Sequence, residues 1–254
     1  IQIHLHDMAP DFEYAERIVK LGVPASIEGT GRALSVNLFL IIVALFPQSV
    51  VAAFGIGVRV FSVIFLPAIA VARGVETMSG QNIGAGKYDR AERANYVAAK
   101  GLFVVLALVG VLIFLIPTPI VSVFTDDATV LAEGATFLRY VALSFGFIGI
   151  MRAFTGGFRG AGKTLIAAAI SIVTLAGIRL PVAYVASQFR LPIPYSGAVF
   201  GVRGIWVAFF VSNVAGAAIA WLWFRRGTWR DGDVRGTGPT GVETDEVDAA
   251  AGDD

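Results

Sequence analysis

Long uninterrupted apolar segments constrain this chain more than any other feature of its sequence. Asp, Glu, Lys and Arg are all absent from 33–58, 101–125 and 204–224, which are runs of 26, 25 and 21 residues. Because a bilayer core about 30 Å thick is crossed by roughly 20 apolar residues in a helix, each run is long enough to span a membrane. With 56% hydrophobic residues and a mean hydropathy of +0.73, the 254-residue chain is not typical of a water-soluble domain.

The sequence predicts an all-α fold class, a polytopic membrane protein whose six transmembrane helices form one bundle. Single arginines interrupt three further apolar stretches, at Arg59, Arg152 and Arg179. Glycine, proline and charged residues mark the breaks between spans. The expected spans are about 24–46, 52–79, 95–116, 134–158, 163–187 and 203–224.

Polar segments flank this predicted lobe, which occupies residues 22–225. We expect residues 1–21 to be a cytoplasmic leader or a linker between lobes, since they lack the apolar core of a signal peptide. The chain begins with Ile1 rather than methionine, which fits a fragment or a processed product. Eight acids and one arginine between 231 and 254 predict that residues 226–254 form a disordered, acidic cytoplasmic tail.

The distribution of basic residues predicts the orientation, because cytoplasmic loops of membrane proteins carry an excess of Lys and Arg. Three basic residues fall on one predicted side of the membrane and thirteen on the other. This asymmetry places both termini in the cytoplasm and the chain in the cell membrane. The smaller group is Arg139, Arg190 and Arg203, and the larger is Arg17, Lys20, Arg32, Lys87, Arg90, Arg93, Lys100, Arg159, Lys163, Arg225, Arg226, Arg230 and Arg235.

Few residues of this chain could support catalysis or bind a metal. It contains no cysteine, and His4 and His6 lie in the polar leader without further converging ligands. Its basic residues are dispersed among apolar runs, so lipid head groups are a better counter-charge than nucleic acid. We therefore expect no enzyme activity, no metal site, no cofactor and no nucleic-acid partner.

Two glycine-rich segments share the letters GAGK. Residues 80–93 read GQNIGAGKYDRAER, and residues 157–164 read GFRGAGKT. The second satisfies the phosphate-binding pattern G-x-x-x-x-G-K-[ST], but that site needs a strand before the loop, whereas apolar spans flank this segment. We interpret both as cytoplasmic turns that bind no nucleotide. Their glycines permit the positive φ of a turn, and they are Gly80, Gly84, Gly86, Gly160 and Gly162.

Charged residues inside the predicted spans are costly, at roughly 2.5–3.5 kcal/mol each, and indicate pairing or function. Arg73 and Glu76 are three residues apart on one helix face, so we expect a structural ion pair within the membrane. Arg59 and Arg152 are candidates for lining a polar substrate cavity, as is Asn37. Alternatively, these side chains extend to the membrane surface or bond to neighbouring helices.

In their order and spacing, several motifs resemble the carboxy-terminal half of the multidrug and toxic compound extrusion (MATE) transporters. The resemblance extends over about residues 20–225, and the ordered set is more specific than any single motif. The motifs are GVP at 22–24, Arg59, GQNIGAGKYDRAERA at 80–94, VFTDDATVLAEGATFLRYVAL at 123–143, GFRGAGKT at 157–164, RLPVAY at 179–184 and GIW at 204–206.

This resemblance implies an exporter built from two six-helix lobes that rock between inward-open and outward-open states. Such an antiporter exports organic, often cationic compounds in exchange for sodium ions or protons. By this resemblance the chain is the carboxy-terminal lobe, and its partner is an amino-terminal lobe of comparable length.

Two positions depart from the pattern of some branches of the family. Where those branches place a glutamate and an aspartate that bind the coupling cation, this chain has Arg32 and Ile148, and neither can coordinate one. The chain is therefore similar to the branch, frequent among archaea, in which the first lobe holds the coupling ion. The alternatives are a lipid-linked oligosaccharide flippase of the wider superfamily, a P-loop NTPase, and a truncated chain that is inert alone.

Overall fold

Every regular element in the computed structural model, which describes residues 12–188 and 200–231, is helical. A π-helical segment, Val173–Arg179, joins the seventh helix to the eighth. The helices are α1 Phe12–Val43, α2 Gln48–Gly84, α3 Tyr88–Leu115, α4 Pro117–Ser122, α5 Ala128–Ala142, α6 Phe145–Gly160, α7 Thr164–Ile172, α8 Leu180–Gln188 and α9 Phe200–Arg225.

Five units of the bundle are long and apolar enough to cross a membrane by themselves: α1, α2, α3, the continuous α7–α8 unit and α9. α5 and α6 together are long and apolar enough for a sixth crossing if they are counted as one span, and their axes are bent by 50° relative to each other. The prediction of an all-α, polytopic membrane protein is confirmed, with five or six spans in the described part of the chain.

The predicted span 134–158 is broken rather than straight. Between α5 and α6, the N–H and the hydroxyl of Ser144 both donate to the carbonyl of Val141, at 2.9 and 2.7 Å. A serine side chain that competes for a helix carbonyl favours a turn over continued helix. The bend leaves Ser144 fully buried inside the bundle.

The folded lobe extends past the boundaries expected from sequence. α1 begins at Phe12, before the expected start at residue 22. Residues 226–231, which were expected to belong to the tail, fold back onto the helices. The side chain of Trp229 is buried there. Its indole N–H donates to the carbonyl of Phe224 at 3.1 Å, and its ring stacks on that of Phe224. The rest of the predicted leader and tail, 1–11 and 232–254, lies outside the described residues.

The centre of the bundle is α6, which packs against α2, α3 and α9. Its buried face includes Gly156, and a Cβ added there would lie 2.5 Å from the carbonyl oxygen of Ala72 on α2. A Cβ at Gly160, one turn further on, would overlap the carbonyl of Glu76. Small residues spaced four apart let helix backbones approach closely. The closeness of α2 and α6 therefore depends on these two glycines.

Gly86 and Gly162 end α2 and α6 in the same way. Their φ angles are +71° and +73°, in a region that residues with a Cβ rarely adopt. The glycine N–H and the N–H of the following lysine bond back to helix carbonyls, at 2.9 and 2.7 Å in the first turn and 2.9 and 2.8 Å in the second. This pattern is a Schellman motif. Both GAGK segments therefore form helix C-caps.

The other three glycines that we assigned to the turns have different places. Gly84 and Gly160 are the last residues of their helices, and Gly80 lies inside α2. The turn assignment of Gly80 is wrong, because this glycine packs on α6, where a Cβ would lie 3.1 Å from the carbonyl oxygen of Gly160. Since residues 157–160 belong to α6, a helix and not a strand leads into the GFRGAGKT turn. That entry differs from a phosphate-binding loop.

Candidate functional site

Arg152 lies within electrostatic range of three further arginines, which belong to α1, α2 and its own helix α6. Arg32 is on α1, Arg73 on α2, and Arg152 and Arg159 on α6. The other three lie close enough to Arg152 to interact with it electrostatically, as does Glu28 of α1. We call Arg32, Arg73, Arg152 and Arg159 the arginine cluster.

One ion pair of the cluster is largely buried and connects three helices. Arg159 Nη2 donates to Glu28 Oε1 at 2.5 Å, and the Ser171 hydroxyl donates to the same oxygen at 3.0 Å. The side chains of Arg159 and Glu28 are 18% and 12% exposed. This pair therefore ties α1 to α6 and α7. Glu28 was not among the residues singled out from the sequence, although it is a charged residue inside the expected span 24–46.

A second ion pair of the cluster stays on the surface of α2. Arg73 Nη1 donates to Glu76 Oε2 at 3.0 Å, which is the contact expected from their spacing. The Arg73 side chain is 72% exposed and that of Glu76 is 28% exposed. Most of the Arg73 guanidinium is thus open to a further partner.

Arg32 and Arg152 have no acidic partner among residues 12–188 and 200–231. The guanidinium carbon of Arg152 lies 5.7 Å from the centre of the Phe65 ring, and its Nε is buried without a hydrogen-bond partner in the described part of the chain. Arg32 is exposed, one helical turn after Glu28 on the same side of α1. In the sequence, Arg32 was notable only because it stands where some branches of the family have a cation-binding glutamate. The structure adds Arg32 to the residues around Arg152.

The other two cavity candidates lie apart from the cluster. Arg59 is exposed on the same face of α2 as Arg73, but about 21 Å further along the helix axis. Asn37 lies on the side of α1 opposite Glu28, and its Nδ2 donates to the carbonyl of Ala33 in its own helix at 2.9 Å. Asn37 and Arg59 are therefore separate from the cluster around Arg152, and a role for each of the three residues in lining the substrate cavity stays a prediction.

A further arginine, the half-buried Arg179, organises a polar network at the π-helical segment. Its Nε donates to Ser212 Oγ at 2.9 Å, and its Nη2 donates to Asn213 Oδ1 at 2.7 Å. Asn213 Nδ2 in turn donates to Ser144 Oγ at 2.8 Å. The guanidinium also lies over the Phe209 ring, 4.3 Å from its centre. The network joins the bend between α5 and α6 to the α7–α8 unit and α9.

Pro181 gives a physical reason for the π-helical segment that carries Arg179. Because proline has no N–H, the carbonyl of Gly177, four residues earlier, loses its α-helical partner. Short π-helical segments inside α-helices are frequent at functional sites. The sequence placed Arg179 inside a span, but its partners on α9 follow only from the tertiary structure.

We expect Asn213→Ala to lower the free energy of unfolding by about 1–3 kcal/mol, because it leaves Nη2 of the half-buried Arg179 without its acceptor. The measurement is the thermal unfolding midpoint of the purified protein in detergent. Asn37→Ala is the matched control, since it removes an exposed hydrogen bond within one helix, and we expect a change within about 0.5 kcal/mol. Equal effects of the two substitutions would contradict a stabilising role for the Arg179 network.

These helices and buried arginine contacts define a polytopic, helical membrane protein. The family model described as MatE matches residues 24–185, which is more than half of the sequence. The chain belongs to the MatE (MATE) family.

Individual relatives agree with this assignment. The chain is similar to the probable multidrug resistance protein NorM of Thermotoga maritima, with 27% identity over 224 residues, 87% of this chain and 46% of the relative. It is 24% identical over 198 residues to a FAD transporter of Shewanella oneidensis, which covers 78% of this chain and 42% of that protein. A crystal structure of a variant of the Vibrio cholerae MATE transporter VcmN shares the fold, with a TM-score of 0.80, 20% identity, and coverage of 92% of this chain and 51% of VcmN. The chain thus spans about half the length of these relatives.

Proposed function

We propose that this chain is the carboxy-terminal lobe of a secondary active multidrug efflux transporter, which exports organic, often cationic compounds in exchange for sodium ions or protons. The observation that carries the proposal is the MatE match over 24–185, together with a fold that corresponds to half of a complete MATE transporter. Similarity to a protein named for multidrug resistance supports export of organic compounds. An amino-terminal lobe of similar size would form the other wall of the substrate cavity.

The coupling ion, a sodium ion or a proton, binds in the amino-terminal lobe under this proposal. Arg32 and Ile148 occupy the positions where some branches of the family hold it in this lobe. Glu28 and Glu76 are the acids of the arginine cluster, and each is already paired with an arginine. A cation would have to displace one of these arginines. Tight, stoichiometric sodium binding by the isolated lobe would contradict this part of the proposal.

The proposed substrates include compounds with anionic groups as well as organic cations. The relative from Shewanella oneidensis is named a FAD transporter, and FAD carries two phosphate groups. The name of this relative thus refers to an organic anion. We therefore infer the charge of the substrate from the residues of this chain.

We propose that both ends of this lobe face the cytoplasm in the cell membrane. The two GAGK turns place Lys87 and Lys163 at one end of the bundle. Arg230 lies at the same end, paired with Glu92 near the start of α3. Since an excess of Lys and Arg is typical of cytoplasmic loops, this end faces inward.

The proposed export is tested in a host that lacks its own efflux pumps. We expect this chain, joined to its upstream genomic sequence, to lower the accumulation of fluorescent organic compounds, and the chain alone to leave it unchanged. Ionophores that collapse the sodium and proton gradients should restore accumulation. The measurement is cell-associated fluorescence over time.

Two outcomes of this assay would contradict the proposal. If the joined form leaves accumulation unchanged under both gradients, export of these compounds fails, and a flippase assay with lipid-linked oligosaccharide follows. If accumulation falls even after both gradients are collapsed, the transport is not secondary active. A melting shift with magnesium ATP that disappears in Thr164→Val would instead indicate a nucleotide site.

A further inference from the structure

The arginine cluster carries more positive charge than the described residues around it neutralise. Glu28 and Glu76 each pair with one arginine. Arg32 and Arg152 are left without an acidic partner among residues 12–188 and 200–231. Charged groups within membrane spans are costly and are typically paired, or mark the path of a charged substrate. An anion that visits this cluster would balance the two remaining charges.

Arg152 has an unused donor at the centre of the cluster. Its Nε is buried and has no hydrogen-bond partner among the described residues. Buried donors without an acceptor are rare, because burial removes the water that would otherwise bind them. The guanidinium group binds carboxylate and phosphate oxygens best, through two parallel N–H···O bonds. The missing acceptor therefore fits one of these two groups.

Two arginines of the cluster, Arg32 on α1 and Arg73 on α2, are exposed at the surface of the lobe. α1 packs mainly on the α7–α8 unit and only slightly on α2. Arg32 on α1 is exposed, and 72% of the Arg73 side chain on α2 is exposed. The guanidinium groups of both residues are therefore accessible to a ligand at the surface of the lobe.

The buried ion pair engages the Glu28 carboxylate, an acid that lies within electrostatic range of Arg152. Glu28 accepts from both Arg159 and Ser171 on one oxygen. With that carboxylate held by α6 and α7, the guanidinium of Arg152 stays free for a ligand.

We propose that Arg152, assisted by Arg32 and Arg73, binds a carboxylate or phosphate group of the transported compound. This inference rests on the proposed export function and names a substrate class for it, organic compounds that carry an anionic group. Any positive charge on such a compound is bound elsewhere in the cavity. Arg59 has no part in this subsite, because it lies about 21 Å along α2 from Arg73.

The test uses the full transporter, this chain joined to its upstream sequence, in nanodiscs of phosphatidylcholine. The probes are a cationic xanthene dye that carries a free carboxylate and the methyl ester of the same dye, which differ only at that group. Fluorescence anisotropy measures the Kd of each. We expect the carboxylate form to bind at least about tenfold more tightly than the ester, which corresponds to one charge-assisted pair.

Three substitutions locate that preference. Arg152→Gln should bring the two Kd values to within about twofold of each other by weakening binding of the carboxylate form alone. Arg32→Gln, at an exposed position, should reduce the preference severalfold and keeps the test decisive if Arg152→Gln fails to fold. Arg139→Gln removes one exposed arginine of α5 outside the cluster and should leave the preference intact.

Several results would overturn the inference. Equal affinity of the parent for both dyes would do so, as would a preference that survives both Arg152→Gln and Arg32→Gln. If these substitutions weaken both dyes alike, the arginines pair with acids of the amino-terminal lobe. If phosphatidylglycerol in the nanodiscs abolishes the preference of the parent, the cluster holds a lipid head group and not a substrate.

A transport assay with the same two dyes distinguishes failure of this inference from failure of the proposed function. If neither dye crosses vesicle membranes under sodium or proton gradients while the carboxylate preference in binding persists, the antiport proposal fails and the anionic subsite stands. If the ester is exported and no carboxylate preference is measured, the antiport proposal stands and the subsite fails.

Discussion

Replacing Gly156 with leucine is expected to prevent normal assembly of the lobe. A Cβ at this position would already lie 2.5 Å from the carbonyl oxygen of Ala72, and a backbone oxygen cannot move aside as a flexible side chain can. Overpacking typically costs about 1–3 kcal/mol, and here the extra atoms would push apart the closely packed α2 and α6. We expect most of the Gly156→Leu protein to aggregate, measured as loss of the monodisperse peak in size-exclusion chromatography, and Gly156→Ala to lower the unfolding midpoint.

Gly74→Leu is the matched control for this substitution. Gly74 lies on α2, is exposed, and has nothing within 4 Å of an added Cβ. Because leucine has a higher helix propensity than glycine, by up to about 1 kcal/mol, this variant should keep or raise the unfolding midpoint. Monodisperse Gly156→Leu with an unchanged midpoint would show that the contact of α2 with α6 does not depend on glycine.

Glu28→Gln is expected to lower the free energy of unfolding by about 3–5 kcal/mol, because it leaves the largely buried Arg159 without its counter-charge. Arg159 is 18% exposed, so little water is present to replace the carboxylate. The same change weakens the connection of α1 to α6 and α7. The measurement is the thermal unfolding midpoint of the purified protein, with chemical denaturation to convert it to a free energy.

Two further variants separate the charge effect from general damage. Glu76→Gln breaks the other arginine–glutamate pair of the cluster, whose arginine is 72% exposed, and should cost less than about 1 kcal/mol. The double variant with Glu28→Gln and Arg159→Gln removes both charges and should recover more than half of the stability lost in Glu28→Gln alone. If Glu76→Gln proves as costly as Glu28→Gln, burial is not what distinguishes the two pairs.

Both contacts stabilise the packing of a neighbouring helix on α6. Gly156 and Gly160 hold α2 against α6, and the Glu28–Arg159 pair holds α1 against α6. In the antiporter that we propose, they would keep the lobe rigid while it rocks against its partner. Variants that loosen either contact should therefore reduce export before they abolish expression.

Much of the fold could be predicted from local sequence. The uncharged runs identified the membrane spans, and the ordered motifs indicated the family to which the chain belongs. The GAGK segments ended helices where expected, because a Schellman turn depends on a glycine at one position. Arg73 and Glu76 paired within one helix because residues three apart face each other.

Other features depended on contacts that local patterns do not reveal. Gly80 resembled a turn glycine but packs on α6. Trp229 stood in a polar, acidic region of the sequence and yet is buried. Asn37 and Arg59 were both cavity candidates with Arg152 by residue type and span. Asn37 lies on the face of α1 opposite Glu28, and Arg59 lies about 21 Å along α2 from Arg73.

The sequence by itself determined the class of this protein, because hydropathy, turn glycines and neighbours on one helix act over a few residues. Only the tertiary structure decided which polar and charged side chains on different helices meet. Glu28 and Arg159 are 131 residues apart, and Arg179 and Asn213 are 34 apart. Whether such side chains touch depends on how whole helices pack and rotate. The arginine cluster is therefore a product of packing, even though each arginine is visible in the sequence.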